Sequence, residues 1–301
     1  MLSGSTSTSS AIDLSRLPPP DVIEALDFET LLADLVATLQ GLWPEFDAVV
    51  ESDPVMKILQ VAAYRELLLR QRVNEASRAV MLAYAASADL DQLAALVGVE
   101  RQEITPADED AGTPAVMESD TELRARVVLA PESFSVAGPT LAYVFHALSA
   151  HPSVLDASVI SPAPGEVLVT VLAREGDGEP EPDVLDAVEA RVNSRSVRPL
   201  TDLVTVQPAE IVPYAIEADL FLYDGPDPTV VIAAALAKAQ AYVELVRKLG
   251  RDVTRSGIFA ALHGEGVQRV ELPSPAEDLV LAATQAGHCT GIALEFAGYA
   301  D

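Results

Sequence analysis

The sequence is poor in cysteine, with Cys289 alone in 301 residues. One cysteine excludes a disulfide framework within the chain and favours folding in a reducing cytoplasm. The first residues, MLSGSTSTSS, offer neither a basic nor an apolar region, so they do not have the pattern of a signal peptide. No apolar stretch reaches the roughly 18–20 residues of a membrane span. We therefore expect no membrane association.

Basic residues are also scarce: 19 Lys and Arg stand against 46 Asp and Glu, which gives a formal net charge of -27. Nucleic-acid backbones and anionic lipid surfaces would repel such a chain, so we expect neither as a direct partner. An acidic surface is the simplest explanation, and a basic protein partner is the alternative. Aromatic residues make up only 5% of the chain, whereas half of it is apolar. The cores should therefore be aliphatic.

No catalytic or metal-binding pattern stands out. His146 and His151 are five apart, which is not the spacing of a helix-borne metal pair, and no cysteine accompanies a histidine in zinc-ligand spacing. His288 and Cys289 are adjacent and would point to opposite faces of a strand. The segment 176–178 (GDG) lacks the spacing of a phosphate or calcium loop. The sequence predicts no catalytic residue, no cofactor and no metal site, and hence a protein that is not an enzyme.

The most strongly patterned stretch is 53–97. Ser52 or Asp53 can cap a helix, Pro54 suits its first turn, and no Gly or Pro follows until Gly98. Apolar residues recur at spacings of three and four, which predicts a helix from 53 to about 86, roughly 50 Å long at about 1.5 Å per residue. A short second helix is expected over 90–97, capped by Asp89.

Apolar residues cover more than half of the predicted helix, whereas a surface helix of a globular domain needs one apolar stripe. Two interpretations follow from the pattern: a long core helix with a solvated arginine edge, or a helix that packs in a bundle with other chains. For the second, the candidate inter-chain contacts are Tyr64, Leu67, Leu68, Leu69, Val73, Val80 and Tyr84.

Composition shifts predict an α+β protein: a mainly helical amino-terminal domain followed by two small α+β sandwich modules in series. We place a disordered Ser/Thr-rich tail at 1–12 and the helical domain at 13–100. Trp43 should fill the corner between its first helix, 27–42, and the long one. The segment 101–117 is rich in Asp, Glu, Pro and Gly, and is expected to be a linker or exposed loop.

The two α+β modules are placed at 118–210 and 211–301. The first should run helix, strand, strand, helix, strand from residue 139. The second opens with an alternating strand that puts five apolar side chains on one side: Tyr214, Ile216, Ala218, Leu220 and Leu222. A long alanine-rich helix over 229–248, a helix capped by Thr254 and two further strands complete it.

Several long segments carry a family resemblance: DLSRLPPPDVIEALDFE at 13–29, YRELLLRQRVNEASRAVMLAYAASADLDQLAALVGVER at 64–101, ESDTELRARVVLAPESFSVAGP at 118–139 and GRDVTRSGIFAALHGEGVQRVELPSP at 250–275. They resemble the baseplate J-like wedge proteins of contractile-tailed phages. The resemblance extends from about residue 13 to the end, although the loop at 103–117 is not distinctive.

The resemblance implies a structural protein of the baseplate wedge in a phage tail or tailocin. Such a protein is made in the bacterial cytoplasm and ends in the virion. It implies assembly with a second J-like copy, an I-like wedge protein and the small lysozyme-like-fold wedge protein that initiates the sheath, in a ring around the tail hub and spike. It also favours the helical-bundle interpretation of 53–97. Two alternatives are a particle-associated cell-wall hydrolase without a recognisable motif, and an acidic adaptor that binds a basic protein.

Overall fold

The structure is a computed structural model that describes residues 14, 18, 20, 24–47, 50–109, 112–225 and 227–300. The proposed disordered tail at 1–12 lies outside these residues. By compactness the described chain divides into two units. The helical unit contains the described residues up to 100 together with 119–124, and the sheet unit contains 101–118 and 125–300. Helices precede sheet-containing modules, which confirms the predicted α+β class.

The helical unit is built on two packed helices, α1 (Phe28–Leu42) and α2 (Pro54–Ala79). The side chain of Asp27 accepts a hydrogen bond from the Thr30 amide and begins α1, and Asp53 does the same for α2 through the Val55 amide. Each carboxylate satisfies a backbone N–H that has no partner within its helix. The unit continues through α3 (Ser87–Ala95) and the first turn of α4 (Asp120–Leu129).

The predicted extension of α2 to residue 86 is wrong, because the helix ends at Ala79. Residues 80–86 form turns in which the Tyr84 and Ala85 amides donate to the Met81 carbonyl. The Arg124 guanidinium holds these turns by donating to the carbonyls of Leu82 and Ala85, at 2.7 and 2.6 Å. A contact distant in sequence therefore ends the helix where the local pattern would continue it, and α2 is about 39 Å long at about 1.5 Å per residue.

Two smaller expectations for this unit also need correction. The second helix begins at Ser87, not 90, so Asp89 lies within its first turn and does not cap it. Trp43 is 49% exposed and packs on the ring of Phe46, 5.7 Å between centroids, so it does not fill a helix corner.

The segment 101–117 is exposed as expected, but it is not irregular. β1 (Glu103–Thr105) pairs antiparallel with β2 (Val116–Met117), and Asp108 bridges to Thr113. The hairpin is closed at its base by the Glu118 amide, which donates to the Gln102 carbonyl at 2.8 Å. Short strands without apolar alternation give no period-2 signal, so the pattern alone indicated a loop.

The first α+β module has the predicted order of elements after a short 3-10 helix at Ala130–Phe134. These are α5 (Thr140–Leu148), β3 (Val154–Ile160), β4 (Glu166–Ala173), α6 (Pro182–Val192) and β5 (Leu203–Pro208). β4 is central, antiparallel to β3 and parallel to β5. One face of this sheet buries an aliphatic core with Tyr143 of α5 and Val184, Val188 and Val192 of α6.

The second module consists of β6 (Glu210–Leu222), α7 (Pro228–Val246), α8 (Arg255–Leu262), β7 (Val267–Ser274) and β8 (Gln285–Tyr299). β6 is central, antiparallel to β7 and parallel to β8. The five residues predicted to share one side of β6 are all buried in a core with α7 and α8: Tyr214, Ile216, Ala218, Leu220 and Leu222. The Thr254 side chain caps α8 through the Gly257 amide, as predicted.

A smaller core joins the two modules. Leu172, Ala209, Leu249 and Ala286 are buried together. Beside them the Leu249 amide donates to the Asp156 carboxylate at 2.9 Å. Because these contacts link both sheets, the two modules pack against each other and are not independent domains.

The expectation that no apolar stretch reaches the length of a membrane span is wrong for helix α7. By length and composition it could cross a membrane, and it is the one such helix among the described residues. Its apolar character comes largely from alanine. One face is buried against the sheet through Val231, Ala235, Ala239 and Val246, which is the arrangement of a core helix.

Candidate interaction surface

Helix α2 has a buried side that faces its own unit. Met56, Ala63 and Asn74 are buried there, at spacings of seven and eleven residues that return to one face of a helix. Asn74 is satisfied by the backbone of Glu24: its Oδ1 accepts from the Glu24 amide at 3.1 Å, and its Nδ2 donates to the Glu24 carbonyl at 2.9 Å. This side of α2 is complete within the helical unit.

The other side of α2 is apolar and exposed, and we call it the α2 seam. It consists of Ile58, Val61, Tyr64, Leu68, Leu69 and Val73. Ile58 and Leu69, which lie about three helical turns apart, are 68% and 65% exposed. An apolar stripe of this length on a soluble helix is typical of a surface that another protein covers. Each seam residue left in water forgoes about 1.5–3 kcal/mol available from full burial.

Arginines lie along the same helix and supply polar edges to the seam. Arg70 donates to Glu66 at 2.7 Å and to Glu24 at 3.0 Å, and these carboxylates hold the pKa of the guanidinium above its ordinary value. Arg72 lies 3.6 Å from Glu75. Because all of these groups are exposed, the pairs contribute little stability to the monomer. Arg72 lies four residues after Leu68, so its alkyl stem extends the apolar surface available to a partner, whereas Arg70 reaches Glu24 on the side that faces the unit.

The structure separates the seven residues predicted as inter-chain contacts. Tyr64, Leu68, Leu69 and Val73 are exposed on α2 and belong to the seam. Leu67 is partly buried and lies four residues after Ala63, on the side that faces the unit. Val80 is exposed at the end of α2, and Tyr84 is half-buried in the turns beyond it. Leu67 and Tyr84 therefore lie outside the α2 seam, because Leu67 faces inward and α2 ends before Tyr84.

Sequence reasoning missed Ile58 and Val61, which are 68% and 64% exposed. Their spacing to Leu68 and Leu69 is helical, so the signal was present. The periodicity of α2 did not say which of its apolar stripes would face the helical unit.

Metal-ligating side chains, His146 and Cys289 are the groups of the described chain whose chemistry the structure characterises. No group of three or more His, Cys, Asp or Glu side chains in that part of the chain could hold a metal ion. Burial lowers the pKa of His146, whose Nδ1 has no hydrogen-bond partner, so this imidazole is neutral. Burial likewise raises the pKa of Cys289 and disfavours its thiolate. The α2 seam is thus the surface whose chemistry most needs explanation.

Three sequence families match the chain in series. Residues 51–108 match the Baseplate J-like N-terminal domain, 135–208 the Baseplate J-like central domain, and 214–295 the Baseplate J-like protein C-terminal domain. The first begins beside α2, the second contains the β3–β4–β5 sheet, and the third covers most of the β7–β6–β8 sheet.

The chain is 52% identical to Baseplate protein J of Escherichia phage P2 over 288 residues, which are 93% of this chain and 95% of that protein. Among solved structures, the cryo-EM structure of the anti-feeding prophage baseplate, 6-fold symmetrised, aligns with a TM-score of 0.38 and 14% identity. That alignment covers 61% of this chain and 43% of the other. On the three domain matches and the phage P2 relative, this chain belongs to the baseplate J-like protein family.

Proposed function

We propose that this chain is a structural component of the baseplate wedge of a contractile phage tail or tailocin. In this role it assembles with a second copy and other wedge proteins into the ring around the tail hub. The observation that carries the proposal is the α2 seam, an apolar stripe that is exposed in the part of the helical unit that the structure describes. A protein whose work is assembly needs such a surface, whereas a monomeric enzyme does not.

The similarity to a phage protein named for the baseplate supports the location of this assembly. Near-complete coverage of both chains means that the whole of this chain, and not one module, has a counterpart in that protein. The location proposed is therefore the tail baseplate of the virion, after synthesis in the cytoplasm of the bacterial host. A single, half-buried cysteine is compatible with synthesis there.

The partner proposed for the seam is an amphipathic helix, either from a second copy or from another wedge protein. Helices pack side by side when apolar residues at spacings of three and four interlock, which is the spacing of Ile58, Val61, Tyr64 and Leu68. The I-like wedge protein and the small sheath-initiating wedge protein are the further partners proposed, with the hub and spike inside the ring.

We also propose that the chain is not an enzyme. The raised pKa of Cys289 supports this, because a thiol that stays protonated is a poor nucleophile.

The experiment is a deletion of the gene in a host that produces the particles, complemented in trans. Deletion should yield tails without baseplates, and the wild-type gene should restore them, as seen by negative-stain electron microscopy. A tagged wild-type chain should be recovered in purified particles. Normal baseplates after deletion, or particles that lack the chain, would contradict the proposed function.

A further inference from the structure

The second module ends in a long strand whose outer edge is open. β8 is 15 residues long and lies at the edge of the sheet, with β6 on its inner side. On the outer side, an isolated bridge from Leu249 to Ala286 is its one pairing among the described residues. From residue 288 to 299 no strand of the described chain pairs with this outer side, so the edge can accept another strand.

The opposite edge of the same sheet is protected against such pairing. β7 carries Arg269, Glu271 and Pro273 within eight residues. Arg269 pairs with Glu271 at 3.3 Å and its guanidinium covers the ring of Phe221, 4.0 Å from the centroid. Charges and proline are the usual means by which proteins prevent edge-to-edge association. Between 288 and 299, by contrast, Glu295 is the one charged side chain and there is no Lys, Arg or Pro.

Two register shifts between β6 and β8 mark the regular part of this edge. They leave Thr290 and Ala297 without a directly paired residue in β6. Between them, 291–296 pair with 215–220 without interruption. Bulges end regular pairing, so a new strand would add along 291–296.

We propose that this edge pairs with the same edge of a second copy, antiparallel, to make one continuous sheet across two chains. The inference deepens the proposed assembly function, on which it rests. The charge distribution indicates that the added strand comes from a second copy of this chain. Two copies that each carry a net charge of -27 repel, so a contact between them is least opposed where charge is depleted, and 288–299 is such a place. A basic partner would need no such depletion.

The alternation of side chains selects a register. Ile292 and Leu294 face the core of the module, whereas Ala293 and Glu295 are exposed on the open face of the sheet. With Leu294 on the twofold axis, Ile292 of one copy lies opposite Phe296 of the other. On the open face, Ala293 lies opposite Glu295 of the other copy. This register pairs an aromatic with a β-branched residue and never places two glutamates opposite each other.

The experiment uses the full chain and hydrogen exchange with mass spectrometry at a low and a roughly hundredfold higher concentration. Amides of 291–296 should exchange more slowly at the higher concentration, because outward N–H groups become paired. Ala293→Glu should weaken dimerisation about fivefold or more in sedimentation equilibrium, since it sets two like-charged pairs across the interface. Ala293→Glu combined with Glu295→Lys should restore it.

Ala233→Glu, at an exposed position of α7, adds the same charge in the same module and should leave the association unchanged. Peptides from α2 report separately on the seam, so failure of this inference is distinct from failure of the proposed function. Exchange of 291–296 that does not depend on concentration overturns the inference, as does a double variant that associates no better than Ala293→Glu.

Discussion

Arg126 donates two hydrogen bonds to Glu118, from Nε to Oε1 at 2.7 Å and from Nη2 to Oε2 at 2.6 Å, and both side chains are buried. Glu118 also accepts from the Gln102 amide, and its carbonyl accepts from Arg101. Arg126 reaches further to Ser149. The pair thus fixes the base of the β1–β2 hairpin to α4 and to the end of α5.

Arg126→Ala should lower the free energy of unfolding by about 3–5 kcal/mol, because it leaves the buried Glu118 carboxylate without its counter-ion. Urea denaturation followed by circular dichroism measures this loss. Arg72→Ala is the matched control, since Arg72 and Glu75 form an exposed pair at 3.6 Å that contributes about 0–1 kcal/mol. Equal losses in the two variants would show that burial does not matter here.

Arg124→Ala should release the turns at 80–86, because two carbonyls lose a charged donor. We expect a loss of about 1.5–3 kcal/mol, with faster amide exchange confined to the turns at the end of α2. Arg124→Lys keeps the positive charge but cannot donate to both carbonyls in the fixed geometry of a guanidinium. It should therefore lose less stability than Arg124→Ala but remain below the wild type. If exchange at 80–86 is unchanged in Arg124→Ala, the guanidinium does not end the helix.

Asp156 should make the stability of the module junction depend on pH. Its two oxygens accept from the Leu249 and Ala157 amides, but desolvation outweighs these bonds and raises its pKa above the ordinary 3.8. A carboxyl whose pKa is raised by folding adds stability below the unfolded pKa, and that stability is lost as pH rises through the folded pKa. Nearby Lys248 opposes the shift and limits its size.

Asp156→Asn removes this titration and one of the two acceptors. At the pH where the two proteins differ most, the free energy of unfolding of the variant should be about 1–3 kcal/mol below that of the wild type. The difference should be larger at about pH 5 than at about pH 8, as measured by urea denaturation at each pH. A difference that is constant, or that grows with pH, would contradict the assignment of the shift to Asp156.

Leu69→Asp should prevent the chain from binding its wedge partners while leaving the monomer folded, because Leu69 is 65% exposed on the seam. Leu69 is a sharper choice than Leu68, which is 38% exposed and closer to the side that faces the unit. Co-purification from the host measures partner binding, and thermal unfolding checks the fold. Ala233→Asp, exposed on α7, supplies the same charge away from the seam. Equal recovery of partners by both variants would exclude the seam.

Periodicity predicted the elements whose pattern reflects their burial. The five buried residues of β6 alternate along the strand. The caps of α2 and α8 are hydrogen bonds from nearby backbone amides to the side chains of Asp53 and Thr254. The end of α2 could not be predicted in this way. Arg124 lies far along the chain from Leu82, and nothing in the local sequence of 80–86 signals that contact.

The candidate surface was predicted in kind but not in detail. Tyr64, Leu68, Leu69 and Val73, which were predicted as inter-chain contacts, are exposed on one side of α2. Leu67 does not share that side, because three successive leucines span most of a helical turn and only the packing of Ala63 and Asn74 fixes which one faces inward. The Asn74 contact with the Glu24 backbone, which orients that packing, has no signature in sequence.

The central claim is that the α2 seam is an assembly surface within a baseplate. The most direct measurement is a cryo-electron microscopy reconstruction of the baseplate from a particle that contains this chain, at a resolution that shows side chains. We predict a helix of another chain packed along Ile58, Val61, Leu68 and Leu69. A reconstruction in which these side chains face solvent, with the chain present and α2 intact, would contradict the account.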